Sequence, residues 1–227
     1  MRMLGDASIQ SYRWDVVYLY GALLSDPRPE VQALAPLAAA LLDEVRSERD
    51  NYERAEEADI VASAVRGRAD FALDRTIITF GGVARVIADV VYKRFFGRLS
   101  PSRVAKLALD DEMLECKRII GELEVMPADH ALRVAHEPSI RDGIANLEVA
   151  MTAEEGTDVA LSVARSRLRT FKERADAQRL EIFGDLLKIV RDKDVADSYF
   201  RPTTAAPQGG DKPPPAPVDS PVTPVAT

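Results

Sequence analysis

In 227 residues the chain has one cysteine, one tryptophan and two histidines, and aromatic residues make up only 6% of it. Each scarcity removes a class of function. A lone thiol, Cys116, closes no internal disulfide, and no Cys/His set has the spacing of a zinc site. That pattern suits a reducing compartment. Asp110, Asp111, Glu112 and Glu115 surround the thiol with negative charge, the opposite of what activates a thiolate, so Cys116 is expected to be buried and inert. No Glu-x-x-His pair is present, so a ferritin-like di-metal centre has no ligands. His130 and His136 then read as surface histidines on a short, proline-bounded segment, and neither metal nor cofactor is expected. Gly81-Gly82 is followed by no Gly-Lys-Ser/Thr and makes no phosphate loop. It marks close helix packing or a kink. Motifs for a serine nucleophile are missing as well, and the chain is not expected to be an enzyme.

Long apolar runs are also missing. The best stretches are broken by Arg85, Asp89 and Lys93, so none is long enough to span a bilayer. The opening Met1-Arg2-Met3-Leu4-Gly5-Asp6 lacks the apolar stretch of a secretory signal. The expected location is the cytoplasm. Positive charge is in deficit, with 30 Lys and Arg against 37 Asp and Glu, a net charge of −7. Such a surface repels a phosphate backbone, and nucleic acid is disfavoured as a partner.

What the chain does have is helix-forming material. Hydrophobic residues supply 46% and charged residues 30%, mostly as Ala, Leu, Val, Arg, Glu and Asp, which favour long amphipathic helices. The fold expected is all-α, an antiparallel bundle of long helices. Residues 1–10 read as a flexible lead-in, 11–200 as the bundle domain, and 201–227 as a tail. The tail carries eight prolines and no aromatic residue. It favours polyproline II over a packed core and reads as a disordered spacer.

Along the bundle, a first helix is expected from Ser11 or Tyr12 to Leu24, stopped by Pro27 and Pro29. A second starts near Glu30 and runs to about Arg49. A third segment covers about Asn51 to Phe96, with Val61, Val65, Ala69, Ala72, Val83, Ile87 and Val91 at helical spacing. Within it Arg75 to Phe80 is β-favouring in composition, yet the surrounding period assigns it to helix. Ser100-Pro101 opens a helix to Leu123, with Val104, Leu107, Leu114 and Ile119 inward. Pro127 and Pro138 bracket a short piece. A long helix resumes near Ser139, with a break expected near Gly156.

Two blocks repeat an order of landmarks. Gly21, Pro27, Pro36, Glu56-Glu57, Val61 and Phe80-Gly81 are followed about a hundred residues later by Gly121, Pro127, Pro138, Glu154-Glu155, Val159 and Phe183-Gly184. Internal duplication, with halves 11–97 and 100–200, explains the order. Coincidence between two Ala/Val/Arg-rich helices explains it equally.

Three surfaces are candidates for recognition. Trp14, Tyr18 and Tyr20 crowd the first helix and suggest an interaction surface, with Trp14, Tyr18 and Leu24 covering the bundle and Tyr20 partly exposed. Arg165, Arg169 and Lys172 share one helical face. That face suits an anionic surface, unless Glu173, Asp176 and Glu181 neutralise it within the chain, which the overall acidity favours. His130-Ala131-Leu132-Arg133 resembles the His-x-Leu-Lys stretch of phosphotransfer bundles, which would make His130 a phosphoacceptor and Arg133 its cation. Val134 stands where those motifs place glycine. The leading expectation is a non-enzymatic structural or protein–protein interaction protein that self-associates, by coiled-coil-like packing, with itself or another protein as partner. The alternatives are an adaptor or regulator such as a phosphotransfer-like bundle, and a binder of anionic surfaces.

Overall fold

The computed structural model describes Met1 and residues 3–202, and every described element is helical. The proline-rich tail proper, 203–227, lies outside the described residues. Two very long helices organise the molecule. Helix α3 (Ala35–Ile87, 53 residues) and helix α7 (Ala131–Val190, 60 residues) are about 80 and 90 Å long at 1.5 Å per residue. They run antiparallel. Arg174 Nη2 donates to Glu44 at 2.5 Å near one end, Thr157 Oγ1 donates to Asp59 at 3.3 Å in the middle, and Gly143 faces Leu73 near the other end.

Short helices cap each end. At one end α1 (Ile9–Ser25), α2 (Pro29–Gln32) and α8 (Lys193–Ser198) pack against the start of α3 and the close of α7. At the other, α4 (Asp89–Phe96), α5 (Pro101–Val104) and α6 (Leu109–Glu124) gather around the close of α3 and the start of α7. The apolar cores sit at these ends. Between Val45 and Leu73 the only buried residue of α3 is Ala62, and between Ala150 and Phe171 the only one of α7 is Leu161. A bare two-helix shaft of about 40 Å joins the two cores. Among the described residues no helix is long and apolar enough to cross a membrane.

Local chemistry explains most boundaries. Ser8 caps α1, its Oγ accepting from the Ser11 amide at 3.2 Å, which starts the helix at Ile9 rather than at Ser11 or Tyr12. Pro101 occupies the first turn of α5 as expected. Helix 101–123 does not form in one piece, since 105–108 turn the chain between α5 and α6. The expected second and third helices are joined over 35–87 as the single α3, with 29–32 in α2 and 89–96 in α4. The short piece between Pro127 and Pro138 is the first part of α7, which runs on through Pro138 and Gly156 without a break. Proline in the second turn of so long a helix loses one hydrogen bond, and packing of Leu132 and Ile140 on either side offsets it. Arg75 to Phe80 is helix, as the period indicated.

Of the two readings of Gly81-Gly82, close packing or a kink, the kink is missing. Gly81 is instead a close-packing position, where a Cβ would collide with the Cγ and Cβ of Pro101, while a Cβ on Gly82 would meet nothing within 4 Å. The break comes later, at Ala88 (φ −168°, ψ 148°). It folds α4 back so that the rings of Phe95 and Phe96 lie 4.9 and 5.7 Å from Phe80. The pair of glycines gives a paired prediction. Gly82→Ala is expected to stabilise by up to about 1 kcal/mol through helix propensity. Gly81→Ala is expected to destabilise by about 1–3 kcal/mol, because the proline ring cannot rotate away. Urea unfolding of the two variants checks the opposite signs.

Other expectations are reversed. Leu114 points outward and is 68% exposed, the core face of α6 being Met113, Cys116, Ile119, Ile120 and Leu123. Trp14, Tyr18 and Leu24 lie on the solvent side of α1, while Tyr20 packs against the end core. His136 is half-buried instead of fully at the surface, its ring tilted against Phe80 at 5.2 Å, and burial pushes its imidazole below its usual range. The lead-in is tied down. The amides of Leu4 and Gly5 donate to Asp176 at 3.1 and 2.8 Å, and Tyr12 Oη donates to the same carboxylate at 2.9 Å.

Candidate functional site

The shaft inverts the usual logic of a helix pair. On α3 the residues turned toward α7 are Glu48, Tyr52, Ala55, Asp59, Ala62, Arg66, Ala69 and Leu73, spaced alternately by four and three, as two helices in extended contact require. Six of these eight seam residues are alanine or charged. The seam is held by polar contacts, Arg66 with Glu154 and Arg167 with Glu48 at 3.5 Å. The apolar stripe expected to pack inward instead faces solvent. Val61 is 61% exposed, Val65 53%, Val159 61% and Val163 53%.

Val61, Val65 and Val163 share a face. On α3, Arg54, Ala58, Val61, Val65, Arg68 and Ala72 follow one another at steps of four and three, and on α7 so do Val149, Ala153, Gly156, Ala160, Val163 and Arg167. A shallow groove lined by Arg54, Ala55, Ala160, Val163, Ala164 and Arg167 places the two stripes side by side. No other described helix covers them.

A second constellation lies where α6 meets α3. Asp70 and Asp74, one turn apart on α3, and Glu112 in the first turn of α6 bring one carboxylate oxygen each within 4.8 Å of one another. Glu112 is 1% exposed. Among the described residues its Oε1 and the Oδ1 of Asp74 are buried without a hydrogen-bond partner. Burial, then the charges of Asp74 and Asp70, push the Glu112 carboxyl up to about 8. Burial raises Asp74 as well. Sequence reasoning missed this group. The signal available was Asp70 and Asp74 at helical spacing, but nothing distinguished Glu112 from Asp110 and Asp111 beside it. Cys116, one turn further along α6, is fully buried, and burial pushes its thiol up to about 12.

The sites singled out in the sequence are scattered. Trp14 and Tyr18 form an exposed aromatic strip with Val17 and Leu24, remote from the carboxylates, while Tyr20 turns away from that strip. Arg165 and Arg169 are exposed and Lys172 half-buried. Among the described residues none of the three has a carboxylate within ion-pair distance. The expected neutralisation fails at Asp176, which is buried and bonded to Arg179, Tyr12, Leu4 and Gly5 instead. His130 is exposed at the start of α7, where its Nδ1 accepts from the Leu132 amide at 3.3 Å. Arg133 is occupied elsewhere, donating to Glu137 at 2.8 Å and to the carbonyls of Glu124 and Met126. Arg133 is therefore held away from the role of cation beside His130.

Comparison with protein-family models, with curated proteins and with solved structures finds no match to this chain.

Proposed function

We propose that the protein is a non-enzymatic helical scaffold that self-associates through the exposed face of its shaft. The observation that carries this is the inverted seam. Val61, Val65, Val149 and Val163 stand on one open face of the shaft, while charge and alanine fill most of the contact between the two helices. A second copy laid across that face turns a two-helix shaft into a four-helix, coiled-coil-like bundle. The stripes extend about 27 Å along each helix, and two helices side by side are about 20 Å wide. Each copy thus contributes about 500 Å², and the total of about 1,000 Å² reaches what a specific interface needs. A two-fold axis brings the same valines together from both copies.

Duplication belongs to the same reading. Each half has a helix of 16 or 17 residues, a proline-bearing link, a very long helix, and a short helix followed or ended by a buried aromatic pair, Phe95-Phe96 or Tyr199-Phe200. The free, buried Cys116 supports a reducing, cytoplasmic location.

Light scattering on a sizing column tests the proposal. The chain is expected to elute at twice its own mass at micromolar concentration. Val61→Glu combined with Val163→Glu is expected to give the monomer with helicity unchanged. A wild-type monomer across the micromolar range overturns the reading.

The lack of carboxylate partners at Arg165, Arg169 and Lys172 favours a second reading, binding of an anionic surface. Vesicles with and without acidic lipid test it. Binding that requires the acidic lipid and falls with added salt supports it, and no binding at low salt ends it.

A further inference from the structure

We infer that Asp70, Asp74 and Glu112 form a binding site for a hard divalent cation, of the calcium, manganese or magnesium kind, that clamps the start of α6 to α3. Three carboxylates converge here, and among the described residues no Lys, Arg or His lies within ion-pair distance of any of them. Of the cations nearby in sequence, Arg66 is committed to Glu154, Lys117 to Glu148 and Arg118 to Glu115.

The observation that points to a ligand is separate from the clustering. Glu112 is driven into the core beside Met113 and Cys116, at 1% exposure, yet its Oε1 has no donor. Asp74 Oδ1, facing it from α3, has none either. A buried carboxylate without a donor or a counter-charge is costly. One cation satisfies both orphaned oxygens and the third carboxylate at once. The geometry allows it. Three oxygens no more than 4.8 Å apart enclose a point at most about 2.8 Å from each, a few tenths of an ångström beyond the 2.3–2.6 Å of calcium–oxygen bonds. All three donors are carboxylate oxygens, which select hard cations over zinc or copper. Asp70 is only half-buried, so it gives the ion a route in and leaves room for water to complete its coordination.

The competing account is a proton shared between Glu112 and Asp74, which neutralises the pair without metal. The two differ in what they predict for added ions. The full chain, stripped with a chelator and dialysed, is titrated with calcium, manganese and magnesium chloride by calorimetry and by thermal melting. At least one ion is expected to bind one-to-one below millimolar concentration and to raise the melting temperature by several degrees. It is also expected to slow the reaction of Cys116 with a thiol reagent severalfold, because Cys116 follows Glu112 by one turn on the clamped helix. Glu112→Gln, whose amide imitates the protonated acid and keeps the fold, is expected to weaken that binding at least tenfold. Asp70→Asn serves as a second variant that leaves the buried side chain intact, and it too is expected to weaken binding. No binding by any of the three ions up to millimolar concentration overturns the inference in favour of the shared proton. Equal binding by wild type and Glu112→Gln overturns it by placing the ion elsewhere.

Discussion

Arg179→Ala is expected to cost about 3–5 kcal/mol of stability. Arg179 is 1% exposed and lies between two carboxylates that are almost as deeply buried. Its Nε donates to Asp15 of α1 at 2.8 Å and its Nη1 to Asp176, one turn earlier on α7. Asp15 sits far enough from water that burial raises its carboxyl even against the pull of Arg179. Asp176 goes the other way. Burial works against its charge, yet the amides of Gly5 and Leu4, the Tyr12 hydroxyl and Arg179 together hold it below its usual range. Removing the guanidinium therefore leaves two buried acids, one of which also anchors the lead-in. Replacing an ion group wholesale by apolar residues is often neutral, whereas removing one partner leaves charge uncompensated. Urea unfolding followed by Trp14 fluorescence measures the loss, since Trp14 lies on α1 next to Asp15. A loss under 1 kcal/mol would mean that water enters and solvates the acids.

Much of the architecture was legible because it depends on local chemistry. The prolines at 27, 29 and 101 and the Ala/Leu/Arg/Glu composition specify long helices with known starts and stops. The expected stripe at Val61 and Val65 was a true period with the wrong partner. Alpha-helix α3 carries two stripes at four-three spacing, and the more apolar one is not the seam. Which stripe meets α7 is settled at the ends, where Leu41, Leu42 and Val45 on one side and Leu73 and Ile77 on the other lock the rotation of a continuous rod. Residues between them follow, whatever their polarity. Ala88 shows the same override. Nothing in its type breaks a helix, and the turn exists because Phe95 and Phe96 gain a place against Phe80. The carboxylate group was half legible, in Asp70 and Asp74. Burial of Glu112 follows from the tertiary angle of α6, which no spacing along the chain encodes. Arg165, Arg169 and Lys172 lie within α7 at steps of four and three, and Asp176 does not neutralise them because it is bonded to Arg179.

A molecule with two cores and a polar shaft need not unfold as one unit, and Phe80→Ala exposes the difference. Phe80 is fully buried at the α4–α6 end, ringed by Phe95, Phe96 and His136. Truncation loses its burial and leaves a cavity, an expected cost of about 3–5 kcal/mol. The cost is local, because between that core and the α1 end only Ala62 and Leu161 are buried along the shaft, too little apolar contact to make the two ends cooperative. The chain carries its own reporters. Cys116 is buried in the damaged core and Trp14 stands on α1 at the far end. In Phe80→Ala, Cys116 is expected to become reactive at a urea concentration where Trp14 fluorescence is still native. In Arg179→Ala the order reverses. Losses at such distant positions are expected to add within about 0.5 kcal/mol in the double variant. Coincident transitions by both reporters in both variants would show that the shaft transmits unfolding after all. The proposed self-association would give it the means to do so, since a second copy would bury the very valines that the single shaft leaves open. Decoupling is therefore expected to be strongest in the Val61→Glu, Val163→Glu background and to fade as the wild-type chain is concentrated.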